Sequence, residues 1–241
     1  MSTLFISDLH LDPARPAVID GFIHWLGLQA GNADALYILG DLFEAWIGDD
    51  DPAPLCGQVS VALNHCVKAG TPVTLMHGNR DFLIGEQFLK ASACRLTADP
   101  AVIDLYGRRT LLMHGDLLCS DDHEYQQIRR LVRDPLWQQR ILAKPLQERR
   151  QLARQMRAES RQSILGKRDD IMDVNPDTVI QFMVQYEADL LIHGHTHRPG
   201  IHPAEQGQHP FTRIVLGDWV DRGSVLFADR QGGLRLESLP L

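Results

Sequence analysis

No apolar run in this sequence approaches the roughly 20 residues needed to cross a bilayer; the longest, such as residues 36–39 and 190–192, are strand-sized. No signal peptide is expected either, because residues 1–6 have no basic start and run straight into Asp8 and His10. The expectation is a chain that stays in the compartment where it is made. The four cysteines (Cys56, Cys66, Cys94 and Cys119) form no C-x-x-C pair and no regular spacing, which argues for reduced thiols in a cytosolic protein. No Ser or Cys lies in a recognisable nucleophile motif, so a covalent intermediate is not expected. Internal repeats and low-complexity tracts are lacking too.

What is present suits one substantial core: 241 residues, 44% hydrophobic and 23% charged. The net charge of −7 conceals an asymmetry. Over residues 129–168, twelve Lys or Arg face only Asp134, Glu148 and Glu159, a balance of +9 that leaves about −16 on the rest. An acidic body with one basic segment suggests that the segment meets something anionic.

Six apolar runs, at residues 3–6, 35–39, 73–76, 110–113, 189–192 and 213–216, end in small, polar or ligand-type residues. Their continuous hydrophobicity fits strands buried on both faces. Between them, residues 17–30 put Ile19, Phe22, Ile23 and Leu26 on one helical face, and 56–69 do the same with Val59, Leu63 and Val67. The alternation predicts an α/β layered fold. Residues 120–169 break the pattern. Ser120-Asp121-Asp122 is a helix start, Tyr125, Ile128, Leu131 and Val132 follow at helical spacing, Pro135 and Pro145 punctuate, and a longer helix carries Leu152, Met156 and Ile164. This stretch reads as a helical cap, with residues 1–119 and 170–241 forming the core.

The chemistry sits at the ends of five apolar runs: Asp8-Leu9-His10, Gly40-Asp41, Gly78-Asn79-Arg80-Asp81, His114-Gly115-Asp116 and Gly194-His195-Thr196-His197. In α/β folds, sites lie beyond the carboxyl ends of the strands. Asp8, His10, Asp41, Asn79, His114, His195 and His197 are too many donors for one ion and about right for two that share a carboxylate, with Asp41 the natural bridge. Nitrogen and oxygen donors without thiolate suit Mn, Fe, Zn or Co. His77 and His193, each just before a glycine, read as packing residues rather than ligands.

The order D-x-H, G-D, G-N, H, G-H-x-H, from Asp8 to His197, resembles the calcineurin-like metallophosphoesterase superfamily. The longer blocks Gly40-Asp41-Leu42-Phe43-Glu44-Ala45-Trp46-Ile47-Gly48-Asp49-Asp50, His77-Gly78-Asn79-Arg80-Asp81-Phe82-Leu83 and His193-Gly194-His195-Thr196-His197-Arg198-Pro199 resemble the diphosphatase family of lipid A synthesis, which cleaves UDP-2,3-diacylglucosamine. The resemblance implies a four-layer α/β sandwich with an inserted helical cap and two Mn2+ ions per chain. Asp8, His10, Asp41 and His197 would hold one ion; Asp41, Asn79, His114 and His195 would hold the other. It also implies head-group contacts from Asn79, Arg80, Asp122, Ser160, Ile164, Lys167 and His195, with Asn79, Arg80 and His195 acting in catalysis. Ile164 replaces a polar residue common at its position, so any contact there must come through the backbone. The expected reaction is attack of a metal-activated water on the α-phosphorus, giving UMP and 2,3-diacylglucosamine 1-phosphate. The expected place is the cytoplasmic face of the inner membrane, as a peripheral protein on an anionic surface.

Arg80 points to a diphosphate substrate independently of the resemblance. Many relatives in the superfamily carry a histidine after G-N, able to protonate an alkoxide leaving group; a guanidinium stays charged and is a poor proton donor. A departing phosphate needs charge neutralisation more than a proton, and arginine provides it through paired hydrogen bonds. The apolar cap residues Tyr125, Ile128, Leu131, Trp137, Ile141 and Met156 either close the cap's own core or, with Trp46, Phe82 and Leu83, line a chamber for acyl chains. Arg157 is a further candidate for a phosphate contact, and the remaining cap arginines are either a solvated surface or a membrane-facing one. A nuclease or dinucleoside polyphosphate hydrolase using the basic segment is the rival reading, against which Arg80 and the segment's apolar content both weigh. A scaffold that has lost its chemistry would be expected to lose ligands, and all are kept. Neither nucleic acid nor an obligate protein partner is expected. Gly217-Asp218-Trp219 ends a strand much as the ligand blocks do, and loop packing is the only role assigned to it.

Overall fold

The computed structural model describes residues 1–165, 171–206 and 209–241. One sheet has the order β11-β10-β1-β2-β3-β4, from β1 (Ser2–Ile6), β2 (Ala35–Leu39), β3 (Val73–Met76), β4 (Arg95–Thr97), β10 (Arg222–Asp229) and β11 (Leu234–Pro240). The second has the order β5-β6-β7-β9-β8, from β5 (Ala101–Leu105), β6 (Arg108–Met113), β7 (Leu190–His193), β8 (Gly200–Gln206) and β9 (His209–Val215). The strands β1 to β4 run parallel, as do β6, β7 and β9, while β10, β11, β5 and β8 add antiparallel margins.

Because successive strand residues point to opposite faces, each apolar run feeds two cores at once. Leu4 and Ile6 join Leu36, Ile38, Val73 and Leu75 beneath helices α1 (Pro16–Gln29) and α2 (Pro54–Lys68). Phe5, Leu39 and Met76 turn the other way and meet Leu112, Leu190, Ile192 and Ile214 of the second sheet. On that sheet's far side, Leu111, Met113 and Leu191 pack with Val179 and Met183 of α7 (Pro176–Gln185). The result is helices, sheet, sheet, helix: the four layers expected. Several helices open on proline in the first turn, where its missing N–H costs nothing. The remaining body helix, α3 (Glu86–Ser92), packs Phe88 against Phe43 and Trp46.

Between β6 and α7 stand α4 (His123–Val132), α5 (Pro135–Leu142) and α6 (Leu146–Leu165). The Asp122 and Asp134 carboxylates cap α4 and α5 by accepting the Tyr125 and Trp137 amides. Trp137, Ile141 and Leu152 pack onto the body cluster that holds Trp46 and Leu83. Several arginines of this segment turn inward to the body, while Arg130 and Arg140 stay exposed. Arg129 pairs with Asp99 and Asp116 at 2.9 and 2.8 Å, and Arg133 donates to the carbonyls of His77 and Gly78. Buried Arg149 grips Ile47 O and Asp50, Arg150 meets Asp51, and Arg157 reaches Glu44 at 3.1 Å. Arg129, Arg149, Arg150 and Arg157 are thereby matched by acids of the body. Among the described residues no helix is long and apolar enough to cross a membrane.

Leu112 is fully buried between the sheets. Replacing it by Ala should lower the unfolding free energy by about 2–5 kcal/mol, read as a fall in the urea midpoint; an unchanged midpoint would mean the sheets do not share that contact.

Candidate metal centre

The five ligand blocks leave the carboxyl ends of β1, β2, β3, β6 and β7, five strands drawn from both sheets. Asp8, His10, Asp41, His195 and His197 all lie in the left-handed backbone region, with φ of 55°, 48°, 53°, 69° and 53°. For such residues this conformation costs about 1–3 kcal/mol each, and it persists only where the surroundings enforce it. Here the blocks hold one another. Asp8 N–H donates to Gly40 O at 3.1 Å, His10 N–H to Asp41 O at 2.9 Å and Gly194 N–H to His114 O at 2.8 Å. The His195 amide donates to Asp8 Oδ2 at 2.9 Å, and the Arg80 amide to Asp41 Oδ1 at 2.7 Å. Asp81 accepts from the amides of Leu42 and Gly78, both at 2.8 Å, and so ties the second block to the third. Two glycines are required by close approach: a Cβ at Gly78 would strike the Asp41 carboxylate, and one at Gly194 the side chains of Asp8 and Ser7.

All seven residues named as ligands converge. His10 Nε2 and His197 Nε2 face each other at 3.3 Å, and Asp8 Oδ1 lies 3.4 Å from His197 Nε2. Asn79 Oδ1 stands 2.9 Å from His114 Nε2 and 3.1 Å from His195 Nδ1. Asp41 Oδ2 is 3.8 Å from both His10 Nε2 and His114 Nε2, which puts it between the two groups. Asp8 also belongs to both cation-competent clusters, Asp8-His10-His197 and Asp8-Asp41-His114.

The arrangement fits divalent cations. Asp8 Oδ1 is buried and receives no hydrogen bond among the described residues, and two imidazole nitrogens compete for the same space beside it, where one proton can serve only one ring as donor. Without a cation, the charge balance falls on the histidines. Burial opposes a charged His114, but the carboxylates of Asp41, Asp116 and Asp8 raise it to about 9. Burial likewise opposes a charged His197, and Asp218 and Asp8 raise it to about 10. Burial, with His114 adding to it, pushes His195 down to about 3. For Asp41 burial dominates and raises its carboxyl, whereas at Asp8 the neighbouring histidines outweigh burial and hold it low. A cation would take over the role of those protons.

Around this centre, Arg80 leaves its buried Nε with no hydrogen-bond partner among the described residues. Tyr125 donates to Asp116 at 2.8 Å and lays its ring 5.7 Å from that of His195. Asp122 caps α4, and Ser160 lies half-buried on α6, one turn beyond Arg157. Lys167 and the side chain of Ile164 lie outside the described residues. His77 and His193 are not drawn into the cluster: His77 Nε2 meets Ile84 O at 2.9 Å, and buried His193 is pushed down to about 4. Two carboxylates not named among the site residues stand beside the ligands, Glu44 at 3.1 Å from His10 Nδ1 and Asp218, to whose block the sequence assigns only loop packing, at 3.1 Å from His197 Nδ1. The signal for both was their place in blocks that end strands.

A set of N/O donors on crossed strand ends, stitched in left-handed turns, defines a metal-dependent phosphoesterase site. Comparison agrees: the chain belongs to the calcineurin-like phosphoesterase family, whose pattern matches residues 1–199. More narrowly, it is 52% identical to the UDP-2,3-diacylglucosamine hydrolase of Xanthomonas axonopodis pv. citri (strain 306), over 100% of both chains. The hydrolase of the same description from Xanthomonas oryzae pv. oryzae (strain PXO99A) is 53% identical, over 96% of this chain and 97% of that one. That of Serratia proteamaculans (strain 568) is 51% identical, over 94% of each.

A ligand that binds only the folded state stabilises it by about 2.7 kcal/mol at a hundred times its dissociation constant. Adding Mn2+ to chelator-treated protein should therefore raise the thermal midpoint, and Asp41→Ala should remove most of the rise. An equal rise in the variant would contradict a part for Asp41 in holding the cation.

Proposed function

We propose that this protein hydrolyses the diphosphate bond of UDP-2,3-diacylglucosamine, water attacking the α-phosphorus to give UMP and 2,3-diacylglucosamine 1-phosphate. The observation that carries the reading is the Asp41 carboxylate lying 3.8 Å from a histidine of each donor group. Two Mn2+ ions, when bound, supply Lewis acidity and lower the pKa of the attacking water. Asp8, His10, Asp41 and His197 would hold one of them, and Asp41, Asn79, His114 and His195 the other. Asn79 and His195 also face the phosphoryl group. Arg80 neutralises the departing phosphate, a role supported by its charged side chain and its unpartnered buried Nε.

Residues 120–169 act as the cap over this centre, with residues 1–119 and 170–241 as the catalytic body. Ser160 and Asp122, with Lys167 and the backbone of Ile164, take the sugar and diphosphate. The inward arginines fasten the cap, so its outer face is the membrane-facing one. Exposed Ile128, Leu131, Leu136 and Leu142 stand among exposed Arg130, Arg140 and Lys144, a composition suited to the anionic cytoplasmic face of the inner membrane. Each basic residue near such a surface contributes about 1 kcal/mol.

Turnover of UDP-2,3-diacylglucosamine with Mn2+ in 18O-labelled water should place the label in UMP; label in the lipid phosphate would contradict attack at the α-phosphorus. Asn79→Ala and His114→Ala should each cut kcat by about 100-fold or more while circular dichroism stays that of the parent; a folded variant with near-parent turnover would rule out these roles. Sedimentation with anionic vesicles should be strong at low salt and fall with ionic strength, and its absence at low salt would rule out the membrane-facing cap.

A further inference from the structure

The two cation positions differ in what stands behind their histidines. At the position of Asp8, His10 and His197, both rings are backed by a carboxylate: Glu44 Oε2 lies 3.1 Å from His10 Nδ1, and Asp218 Oδ2 lies 3.1 Å from His197 Nδ1. Each carboxylate stands at ion-pair distance from a ring Nδ1 and favours a proton there, which leaves Nε2 to the cluster. At the other position, His114 Nδ1 is backed by a neutral acceptor, the carbonyl of Leu39, at 2.9 Å. A carboxylate behind a metal-bound histidine fixes the ring and makes its nitrogen a stronger donor than a carbonyl does.

Asp218 is not placed by chance. The loop carrying it is fastened before and after: Leu216 N–H donates to His193 O at 2.7 Å, Gly217 N–H to Ser224 Oγ at 2.9 Å and Trp219 N–H to Asp8 O at 3.1 Å. Trp219 is fully buried, its ring 5.8 Å from Phe22 and 5.6 Å from Trp25 in edge-on packing. The block Gly217-Asp218-Trp219 thus plants one side chain in the core so that its neighbour meets His197. Glu44 has a second duty, since Arg157 of α6 also reaches it, so Asp218 isolates the effect better.

Resting on the metal-centre reading above, we propose that Asp218 is a positioning residue that, together with Glu44, makes the Asp8-His10-His197 position the tighter of two unequal cation sites. Calorimetric titration of chelator-treated protein with Mn2+, without substrate, tests this. The unsubstituted protein should bind in two phases. Asp218→Asn should weaken the tighter phase about 10- to 100-fold and leave the weaker phase unchanged. Glu44→Gln should weaken the same phase. Two equal sites in the parent, an unchanged tight phase in Asp218→Asn, or a shift confined to the weak phase would overturn the proposal. If the parent protein binds no Mn2+ at all, the metal-centre reading falls, and this proposal with it.

Discussion

The structure depends on one electrostatic constraint: two buried aspartates, Asp8 and Asp41, are held within a few ångströms of three histidines at the meeting of the two sheets. Desolvated carboxylates are costly unless positive charge stands beside them. Everything nearby serves to keep them there. The left-handed turns at Asp8, His10, Asp41, His195 and His197 aim the donors inward, and hydrogen bonds between blocks from different strands resist relaxation. A backbone free to relax would spread the charges apart. The four-layer packing prevents this, because residues one apart on each strand are locked into different cores.

The same constraint explains how the three-helix segment of residues 123–165 is joined to the body. Asp99 accepts the His114 backbone amide and the Asp116 carboxylate raises the basicity of that ring, and both acids are answered by Arg129 of α4; Glu44 lies beside His10 Nδ1 and is answered by Arg157 of α6. Some of the acids beside the centre thus also anchor the basic helices. Part of the charge asymmetry in the sequence is an internal complementarity, and part of it faces outward.

The strands β1, β2, β3, β6, β7 and β9 were legible because each is a continuous apolar run that ends in a ligand or a small residue. Helices α1 and α2 were legible from their apolar periodicity, and the start of α4 from its cap at Asp122. The marginal strands β4, β5, β8, β10 and β11 were not. Arg95–Thr97 is three residues long, and Leu234–Pro240 alternates exposed and half-buried positions at a sheet edge, where tertiary pairing outweighs local pattern. All seven ligand candidates were legible because hard donors at strand ends form a pattern in one dimension. The roles of Glu44 and Asp218 were not, since a side chain that orients another ring has no spacing rule and is visible only through contacts between segments distant in the chain. The inward course of Arg129, Arg133 and Arg149 was hidden for the same reason.

The central claim is that Asp41 joins two cations into one centre. Electron paramagnetic resonance of the protein loaded with two equivalents of Mn2+ tests it most directly, because ions that share a carboxylate are magnetically coupled and ions held apart are not. The account predicts the broadened spectrum of a coupled pair, lost in Asp41→Ala. The plain six-line spectrum of isolated Mn2+ at full loading would contradict it.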